Sequence, residues 1–243
     1  MRILITNDDG INALGIRLLA EWAKKLGEVT VIPPKREQSA ISHAIDLVNP
    51  IEVKKLDFVE GVTAYSMDST PADCIRFAML GLKEKFDLVL SGINHGINVG
   101  IDLVYSGTIG AAFETARYGI PSVAISAFPN GVQAAVEYLD EVYGYFLKNR
   151  LFQENLIYNV NIPIKSRGIR MTYEGSAYYA DEFVKVNETS MYKIKGEPKE
   201  DEYPTDLNRD TVAIHQGYIT VTPLLASRTN VEVFRKFQTE DRK

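Results

Sequence analysis

The sequence predicts an α/β protein, with a mostly parallel, doubly wound sheet flanked by helices and a smaller β-rich C-terminal extension. Short apolar runs rich in β-branched residues alternate with stretches that carry apolar residues at helical spacing, as in strand–helix–strand units. This alternation stops near Pro163, after which strand-like patches are separated by charged loops. The length of 243 residues, with 45% hydrophobic and 24% charged residues, suits one large domain or a domain with an appendage.

The first strand–helix–strand unit opens the chain. Residues 2–6 form an apolar run that stops at turn-forming residues, which predicts a buried strand. Residues 16–26 carry apolar residues at helical spacing and end before Gly27, a typical C-terminal stop. Residues 29–32 form a second buried strand, closed by two prolines, and the crossover between the strands is expected to be right-handed.

The next segments are less regular. Residues 35–46 are polar and rich in turn-forming residues, which predicts a loop at the carboxyl end of the second strand. Residues 47–66 alternate weakly and predict short strands in an extension of the core. A helix is predicted from Thr70 to about Leu82, because Thr70 can cap it and the proline that follows suits the first helical position.

The rest of the core repeats the same alternation, and we place the α/β core at residues 1–163. Its remaining elements are a strand at 87–90, a Gly- and Asn-rich loop at 91–105, a helix at 106–118, a strand at 122–125, a helix at 133–147 and a strand at 156–162. The β-rich extension is placed at residues 164–243. It is expected to contain strands near 192–194, 211–214 and 218–222, an exposed arm at 195–210 and a terminal helix at 231–237.

Charge and composition exclude several classes of protein. The formal net charge of −5 argues against nucleic acid as a partner, because proteins that bind it usually carry a basic surplus. No apolar run approaches membrane-spanning length and no cationic leader precedes the first strand, so a cytoplasmic protein without a membrane partner is expected. The single cysteine, Cys74, excludes an internal disulfide, and its apolar neighbours predict a buried thiol.

The most informative polar residues are Asp8 and Asp9, directly after the first strand. Ligands of open parallel sheets bind beyond the carboxyl ends of the strands. Two adjacent carboxylates repel each other there, and desolvation penalises each, so a divalent cation would account for them. The alternative is a solvated turn in which Asp9 or Asn12 caps the next helix.

Polar loops after other predicted strands would converge on the same edge of the sheet. These loops contain Arg36, Ser39, Ser42 and His43, the segment 91–100, and the segment 105–108. Carboxylate, hydroxyl and amide oxygens suit Mg²⁺, Mn²⁺ or Ca²⁺, whereas no zinc-type spacing of His and Cys is present. The Ser-Gly-Thr at the helix start could cradle a phosphate. The alternatives are turns, helix caps, loop hydrogen bonds and a surface arginine.

Several segments resemble a known family. They are Ile-Thr-Asn-Asp-Asp-Gly-Ile at 5–11, Arg-Glu-Gln-Ser-Ala at 36–40, Thr-Pro-Ala-Asp-Cys at 70–74, Ser-Gly-Ile-Asn-His-Gly-Ile-Asn-Val-Gly at 91–100, Tyr-Ser-Gly-Thr-Ile-Gly-Ala-Ala at 105–112, Asn-Val-Asn-Ile-Pro at 159–163 and Gly-Tyr-Ile-Thr-Val-Thr-Pro-Leu at 217–224. In this order and over nearly the whole chain, they resemble the survival protein SurE family of metal-dependent nucleotidases and acid phosphatases.

The resemblance implies a Rossmann-like core, a homodimer or homotetramer formed through the C-terminal part, and hydrolysis of nucleoside monophosphates at the 5′ or 3′ phosphate. It implies one divalent ion per subunit, Mg²⁺ or Mn²⁺, held by Asp8, Asp9, Ser39 and Asn94. The catalytic residues would be Asp8, Asp9 and Asn94, with Asp9 also the candidate proton acceptor. Phosphate or substrate contacts are assigned to Asn98, Ser106, Gly107, Thr108 and His43.

Two positions depart from the family pattern, because Ala40 and Thr115 stand where the family often has glycine. If that first glycine adopts positive φ, Ala40 implies local strain or a different path for the loop that carries Ser39. Two other function classes fit the same residues. One is a nucleotide-binding protein without catalysis; the other is a phospho-acceptor signalling module, which would need an acceptor Asp where this chain has Ser91.

Overall fold

The computed structural model describes residues 1–187 and 190–238. The strands in these residues are β1 (Arg2–Thr6), β2 (Glu28–Val31), β3 (Val53–Leu56), β4 (Thr63–Met67), β5 (Leu88–His95), β6 (Ser122–Ala127), β7 (Ile157–Ile162), β8 (Ile169–Met171), β9 (Tyr179–Lys185), β10 (Tyr192–Pro198) and β11 (Ile219–Leu224). The helices are α1 (Leu14–Ala23), α2 (Pro71–Arg76), α3 (Gly107–Ala116), α4 (Val132–Lys148), α5 (Leu151–Glu154), α6 (Asp210–His215) and α7 (Val231–Gln238). A π-helical turn at Phe77–Gly81 continues α2, and a 3₁₀ turn at Gly100–Tyr105 precedes α3.

One sheet of the described chain has the strand order β3-β4-β2-β1-β5-β6-β7-β11-β8. The strands from β4 to β7 in this order run parallel, whereas β3 and β11 are antiparallel to their neighbours β4 and β7. The predicted mostly parallel sheet is therefore confirmed. Because β1 and β5 are adjacent and parallel, the loops that follow them emerge side by side at one edge of the sheet.

Helices cover both faces of this sheet. Alternate residues of β1 point to the two layers: Ile3 and Ile5 pack with α1 and α4, whereas Leu4 packs with α2 and α3. The predicted start of α2 is confirmed, since Thr70 Oγ1 accepts a hydrogen bond from the backbone N of Asp73 at 3.1 Å. None of the described helices is long and apolar enough to cross a lipid bilayer.

Two segments of the core differ from the prediction. Short strands do form between residues 47 and 67, but β3 and β4 lengthen the central sheet instead of forming an extension, with β4 parallel to β2. The strand β5 continues to His95, because pairing with β6 extends that far, so Ser91 and the residues after it begin as strand rather than loop. Pairing partners distant in sequence leave no local signal, which is why both features were missed.

The C-terminal part differs more. Residues 211–214 form part of helix α6 rather than a strand. In so short a buried apolar run, the spacing of apolar residues does not distinguish a helix from a strand. The predicted strand near 218–222 is confirmed as β11, which lies between β7 and β8 in the central sheet. Strands β9 and β10 form a separate exposed hairpin, which includes the first residues of the predicted arm. The division of the chain at residue 163 stays a prediction.

Asp210, at the start of α6, is fully buried and ties three segments together. Its carboxylate accepts hydrogen bonds from the backbone N of Gly100 at 3.1 Å, of Gly175 at 2.8 Å and of Thr211 at 2.7 Å. Burial raises the pKa of this carboxyl to about 6, although the three hydrogen bonds act in the opposite direction. The ionised carboxylate therefore costs folding free energy at neutral pH.

We expect the Asp210 contribution to stability to be lost as the pH rises from about 4 to above 6. The usual pKa is 3.8, so between that value and about 6 the unfolded chain has lost a proton that the folded chain keeps. The difference corresponds to about 3 kcal/mol. Urea unfolding of the native chain is compared with that of the Asp210→Asn variant, both in the presence of EDTA. The difference between their free energies of unfolding isolates the contribution of this carboxyl. The native chain should lose stability relative to the variant across this range, and a constant difference would contradict the assignment.

Candidate active site

A cavity of about 780 Å³ lies at the carboxyl ends of β1 and β5. This volume falls within the range of about 300–1,000 Å³ that is usual for small-molecule sites. The cavity brings together all the predicted metal ligands and some of the predicted phosphate contacts. The predicted residues that line it are Asp8, Asp9, Ser39, Asn94, Asn98 and Ser106.

Asp8 is only 6% exposed, just beyond the end of β1. Its Oδ2 accepts a hydrogen bond from the backbone N of Thr108 at 3.0 Å, and its Oδ1 accepts one from the Thr108 hydroxyl. Burial raises the pKa of Asp8 to about 6; the Thr108 hydroxyl opposes this effect and the charge of Asp9 adds to it. A carboxylate under these conditions is stabilised in its ionised form by a nearby cation.

Asp9 is held from behind by the next strand of the sheet. Its Oδ2 accepts a hydrogen bond from the backbone N of His95 at 2.9 Å. Burial raises the pKa of Asp9, and the His95 hydrogen bond partly offsets this. The turn itself is fixed by Asn7, whose side chain donates to the carbonyl of Gly10 and accepts from its N, both at 3.1 Å. Gly10 has a φ of 89°, a conformation that favours glycine.

Ser39 lies on the exposed loop between β2 and β3. Its Oγ donates to Glu37 Oε1 at 2.5 Å, and the backbone N of Gln38 donates to the carbonyl of Asp8 at 2.7 Å, which ties the loop to β1. Ala40 has a φ of 55°, in the left-handed region, which costs a residue with a Cβ about 1–2 kcal/mol. Alanine in place of the family's glycine at position 40 therefore introduces local backbone strain.

Asn94 and Asn98 line the cavity from the end of β5 and the segment that follows. The Nδ2 of Asn94 donates to the carbonyl of Gly96 at 2.8 Å, which directs its amide oxygen to other partners. The backbone N of Asn98 donates to Asn161 Oδ1 at 2.8 Å, and its carbonyl accepts from the Nδ2 of Asn159 at 2.7 Å and of Asn161 at 2.9 Å. The two buried asparagines of β7 thus fix the main chain of Asn98.

The N-terminus of α3 lies against Asp8. Ser106 caps this helix, with its Oγ accepting from the backbone N of Ile109 at 3.3 Å, and it also lines the cavity. Thr108 is fully buried and directs both its N–H and its hydroxyl at Asp8. The structure therefore places Thr108 behind the cavity wall, where it orients Asp8 instead of facing a ligand.

The structure does not bring His43 into the cavity. Its Nε2 lies 2.9 Å from Oε2 of Glu114 on α3, a pair separated by 71 residues in the chain. The resemblance assigned His43 to the phosphate or substrate contacts, with a loop hydrogen bond as the alternative, and the sequence could not reveal this partner. Thr115, the second departure from the family pattern, is fully buried, and its Oγ1 donates to the carbonyl of Ala112 at 2.7 Å, so α3 accommodates it.

Carboxylates dominate the charge of the cavity. Besides the aspartate pair, the described lining includes Glu37, Asp102 and Asp181, but neither Lys nor Arg, and His95 is its one ionisable base. These three acids were missed from the sequence. Asp102 follows the Gly-rich segment closely enough to have been considered, whereas Asp181 reaches the site from β9, to which no local signal pointed. A phosphate group that enters this cavity meets repulsion from each ionised carboxylate.

The donor chemistry fits a hard divalent cation. Among the described residues, no group of three or more His, Cys, Asp and Glu side chains is arranged to hold a metal ion. The predicted ligands are different: two carboxylates, a hydroxyl and an amide, all of which offer oxygen, as Mg²⁺ and Mn²⁺ prefer. Burial raises the pKa of the carboxyls of Asp8 and Asp9. Among the described residues that line the cavity, there is no Lys or Arg to neutralise them.

Gly107 lets α3 approach Asp8 closely, and we expect Gly107→Ala to destabilise the fold by about 1–3 kcal/mol. A Cβ at this position would lie 2.9 Å from Asp8 Cβ and 2.9 Å from Ile41 Cγ2. Gly144→Ala is the matched control, because nothing lies within 4 Å of its added Cβ and alanine favours the helix α4. Thermal unfolding compares the two variants, and an undiminished Tm in Gly107→Ala would contradict the close approach.

The chain is similar to known proteins over nearly its whole length. Residues 3–181 match the family described as Survival protein SurE. Proteins named 5'-nucleotidase SurE from Thermoanaerobacter sp. (strain X514) and Clostridium beijerinckii are 38% and 40% identical, and in each case the match covers 92% of both chains. The crystal structure of the SurE protein from Aquifex aeolicus matches with a TM-score of 0.82 and 33% identity, over 99% of this chain and 100% of that one. The chain therefore belongs to the survival protein SurE family.

Proposed function

We propose that this chain is a divalent-metal-dependent nucleotidase that hydrolyses nucleoside monophosphates to nucleoside and phosphate. The coarser statement, that it is a phosphoric monoester hydrolase, follows from its family and from relatives named 5'-nucleotidase. The metal requirement and the action on both 5′ and 3′ phosphates belong to the proposal. The observation that carries it is an anionic cavity of about 780 Å³, in which Asp8 is buried against the N-terminus of α3 and Asp9 beside it is half-buried.

One Mg²⁺ or Mn²⁺ ion per subunit would be held by Asp8, Asp9, Ser39 and Asn94, which share the cavity lining. When bound, such an ion neutralises charge on phosphoryl oxygens and lowers the pKa of water. The described lining offers a phosphate five carboxylates and neither Lys nor Arg. Binding of the substrate, as well as its hydrolysis, would therefore depend on the cation.

The chain's own donors would orient the phosphate. Ser106 and the N–H of Gly107 lie at the N-terminus of α3, where N–H groups lack helical acceptors and the helix dipole favours an anion. Asn98 Nδ2 donates to Ser126 Oγ at 3.0 Å and keeps a second proton for the substrate. Donors fixed in this way hold the phosphorus in line with an attacking water.

Asp9 is the proposed proton acceptor. Because its Oδ2 accepts from the backbone N of His95, Oδ1 is the oxygen that can take a proton from the attacking water. Burial raises the pKa of Asp9, which makes it a better base than an exposed aspartate. Both oxygens of Asp8 accept hydrogen bonds from Thr108, which suits a residue that holds the cation and keeps its charge.

Further parts of the proposal concern partners and location. We propose a cytoplasmic homodimer or homotetramer that binds neither nucleic acid nor membranes. The acidic net charge of −5 supports the absence of nucleic acid, and the exposed β9–β10 hairpin offers surface for subunit contacts. Size-exclusion chromatography with light scattering measures the oligomeric state, and a monomer at micromolar concentration would contradict the assembly.

Phosphate release from a substrate panel tests the activity. The panel contains AMP, GMP, the corresponding 3′ isomers and a generic aryl phosphate, each with and without Mg²⁺ or Mn²⁺. We expect faster release from nucleoside monophosphates than from the generic ester, and only with metal. Nucleotide binding without release would support the non-catalytic alternative, and a stable phosphorylated chain would support the phospho-acceptor alternative.

A further inference from the structure

The loop that carries Ser39 depends on its surroundings for its shape. Residues 35–46 contain neither helix nor strand, and both Ala40 and Ser42 are left-handed, with φ values of 55° and 57°. Residues other than glycine adopt this backbone conformation at a cost in free energy, so it persists only where neighbouring structure holds it. The turn directly after Ser39 therefore requires an anchor.

That anchor is the segment around the start of α3. The backbone N of Ser42, at 2.9 Å, and its Oγ, at 2.7 Å, donate hydrogen bonds to carbonyl oxygens of the 3₁₀ turn that precedes α3. Gly110 makes room for the loop, because a Cβ there would lie 2.2 Å from the Ser42 carbonyl oxygen. The next loop residue, His43, places its Nε2 2.9 Å from Oε2 of Glu114, one turn further along the helix.

Glu114 is itself held in place. It is 6% exposed, and its Oε1 accepts a hydrogen bond from Nη1 of Arg76 on α2 at 3.2 Å. Burial alone would raise the pKa of Glu114, but His43 and Arg76 together hold it below its usual value. Both carboxylate oxygens therefore have partners, and removing one partner from a buried carboxylate is costly.

We propose that His43 is a positioning residue, which fixes Ser39 at the cation site by anchoring the loop to Glu114. The proposal rests on the proposed function, since the position of Ser39 matters only if the site holds a cation. The strained turn at Ala40–Ser42 links the two residues, so loss of the His43 contact leaves the two hydrogen bonds of Ser42 to hold that turn against its strain, and the turn shifts and moves Ser39. This role replaces the expectation that His43 contacts the substrate.

Binding of Mn²⁺ to the substrate-free protein, followed by electron paramagnetic resonance, tests the proposal. His43→Ala should raise the Kd for Mn²⁺ about tenfold, as expected when a residue that orients a metal ligand is removed. His43→Gln keeps a donor for Glu114 and should stay within about threefold of the native affinity. Lys24→Ala, which breaks a 2.7 Å ion pair with Glu21 beside α1, is the control and should leave affinity unchanged.

Activity gives a second measurement that a purely structural role would not reproduce. At saturating Mn²⁺ the kcat of His43→Ala should return to within about threefold of native, since the ligands themselves are intact. Unchanged Mn²⁺ affinity in His43→Ala, or an equal loss in His43→Gln, would overturn the proposal. If His43→Ala does not fold, His43→Leu serves instead, because it fills the space without a group that can hydrogen-bond to Glu114, and unchanged affinity there overturns the proposal equally. Absence of Mn²⁺ binding in the native chain would overturn the proposed function, and this role with it.

Discussion

Asp8→Asn is expected to lower kcat/KM for AMP by at least about 10²-fold, the scale of losing one fixed electrostatic partner of a reacting group. The amide keeps the shape of the carboxylate but loses the charge that holds a cation. The free energy of unfolding should rise in the same variant. Burial raises the pKa of Asp8 to about 6, so the ionised carboxyl destabilises the metal-free fold at neutral pH, and the neutral amide removes that cost.

An inactive variant with an undiminished Tm would separate the chemical role of Asp8 from a structural one. Asp9→Asn should be similarly impaired, because Asp9 shares the cation and offers Oδ1 to the attacking water. The control is Asp140→Asn on α4, an exposed acid paired with Lys25, which should change kcat/KM by no more than about twofold. Native activity of both site variants at saturating Mn²⁺ would contradict the metal site.

Exhaustive chelation is expected to reduce phosphate release by at least about 10²-fold, and added Mg²⁺ or Mn²⁺ should restore it. The reason is electrostatic. The described lining presents five carboxylates and neither Lys nor Arg, and unit charges 4 Å apart near a protein surface interact by about 4 kcal/mol. A phosphate without a cation therefore meets repulsion that its hydrogen-bond donors do not offset.

The fold during chelation is checked by circular dichroism in the same samples, and we expect it to persist because the contacts of Asp210 and of the apolar core are made between protein groups alone. Recovery should be obtained with divalent cations that prefer oxygen ligands and not with Na⁺ at equal ionic strength. Activity that survives chelation with the metal content verified by elemental analysis would contradict this requirement.

The aspartate pair could be predicted because its signal is local. The run Arg2–Thr6 has the composition of a buried strand, and Asn7 to Gly10 cannot continue it, which places Asp8 and Asp9 at a strand end. The start of α2 was equally predictable from the sequence, since Thr70 caps the helix and Pro71 takes its first position. Features carried by a few neighbouring residues were recovered in this way.

Features that depend on distant partners were not recovered. Thr108 was expected to face a phosphate but binds Asp8, which lies 100 residues away in the chain. His43 shows the same limit, because its partner Glu114 is on another element. The strand β4 pairs with β2 across the whole Ser39 loop, and no local pattern indicates such a pairing. Tertiary contacts, and not local propensity, decided these positions.

Calorimetric titration of a non-hydrolysable phosphonate analogue of AMP, into metal-free and into Mn²⁺-loaded native protein, measures whether the cavity accepts a phosphate without a cation. The cavity charge predicts at least about 10²-fold tighter binding with Mn²⁺, equivalent to about 2.7 kcal/mol. Equal affinity in the two titrations would contradict the conclusion that the aspartate pair acts on phosphate only through a divalent cation.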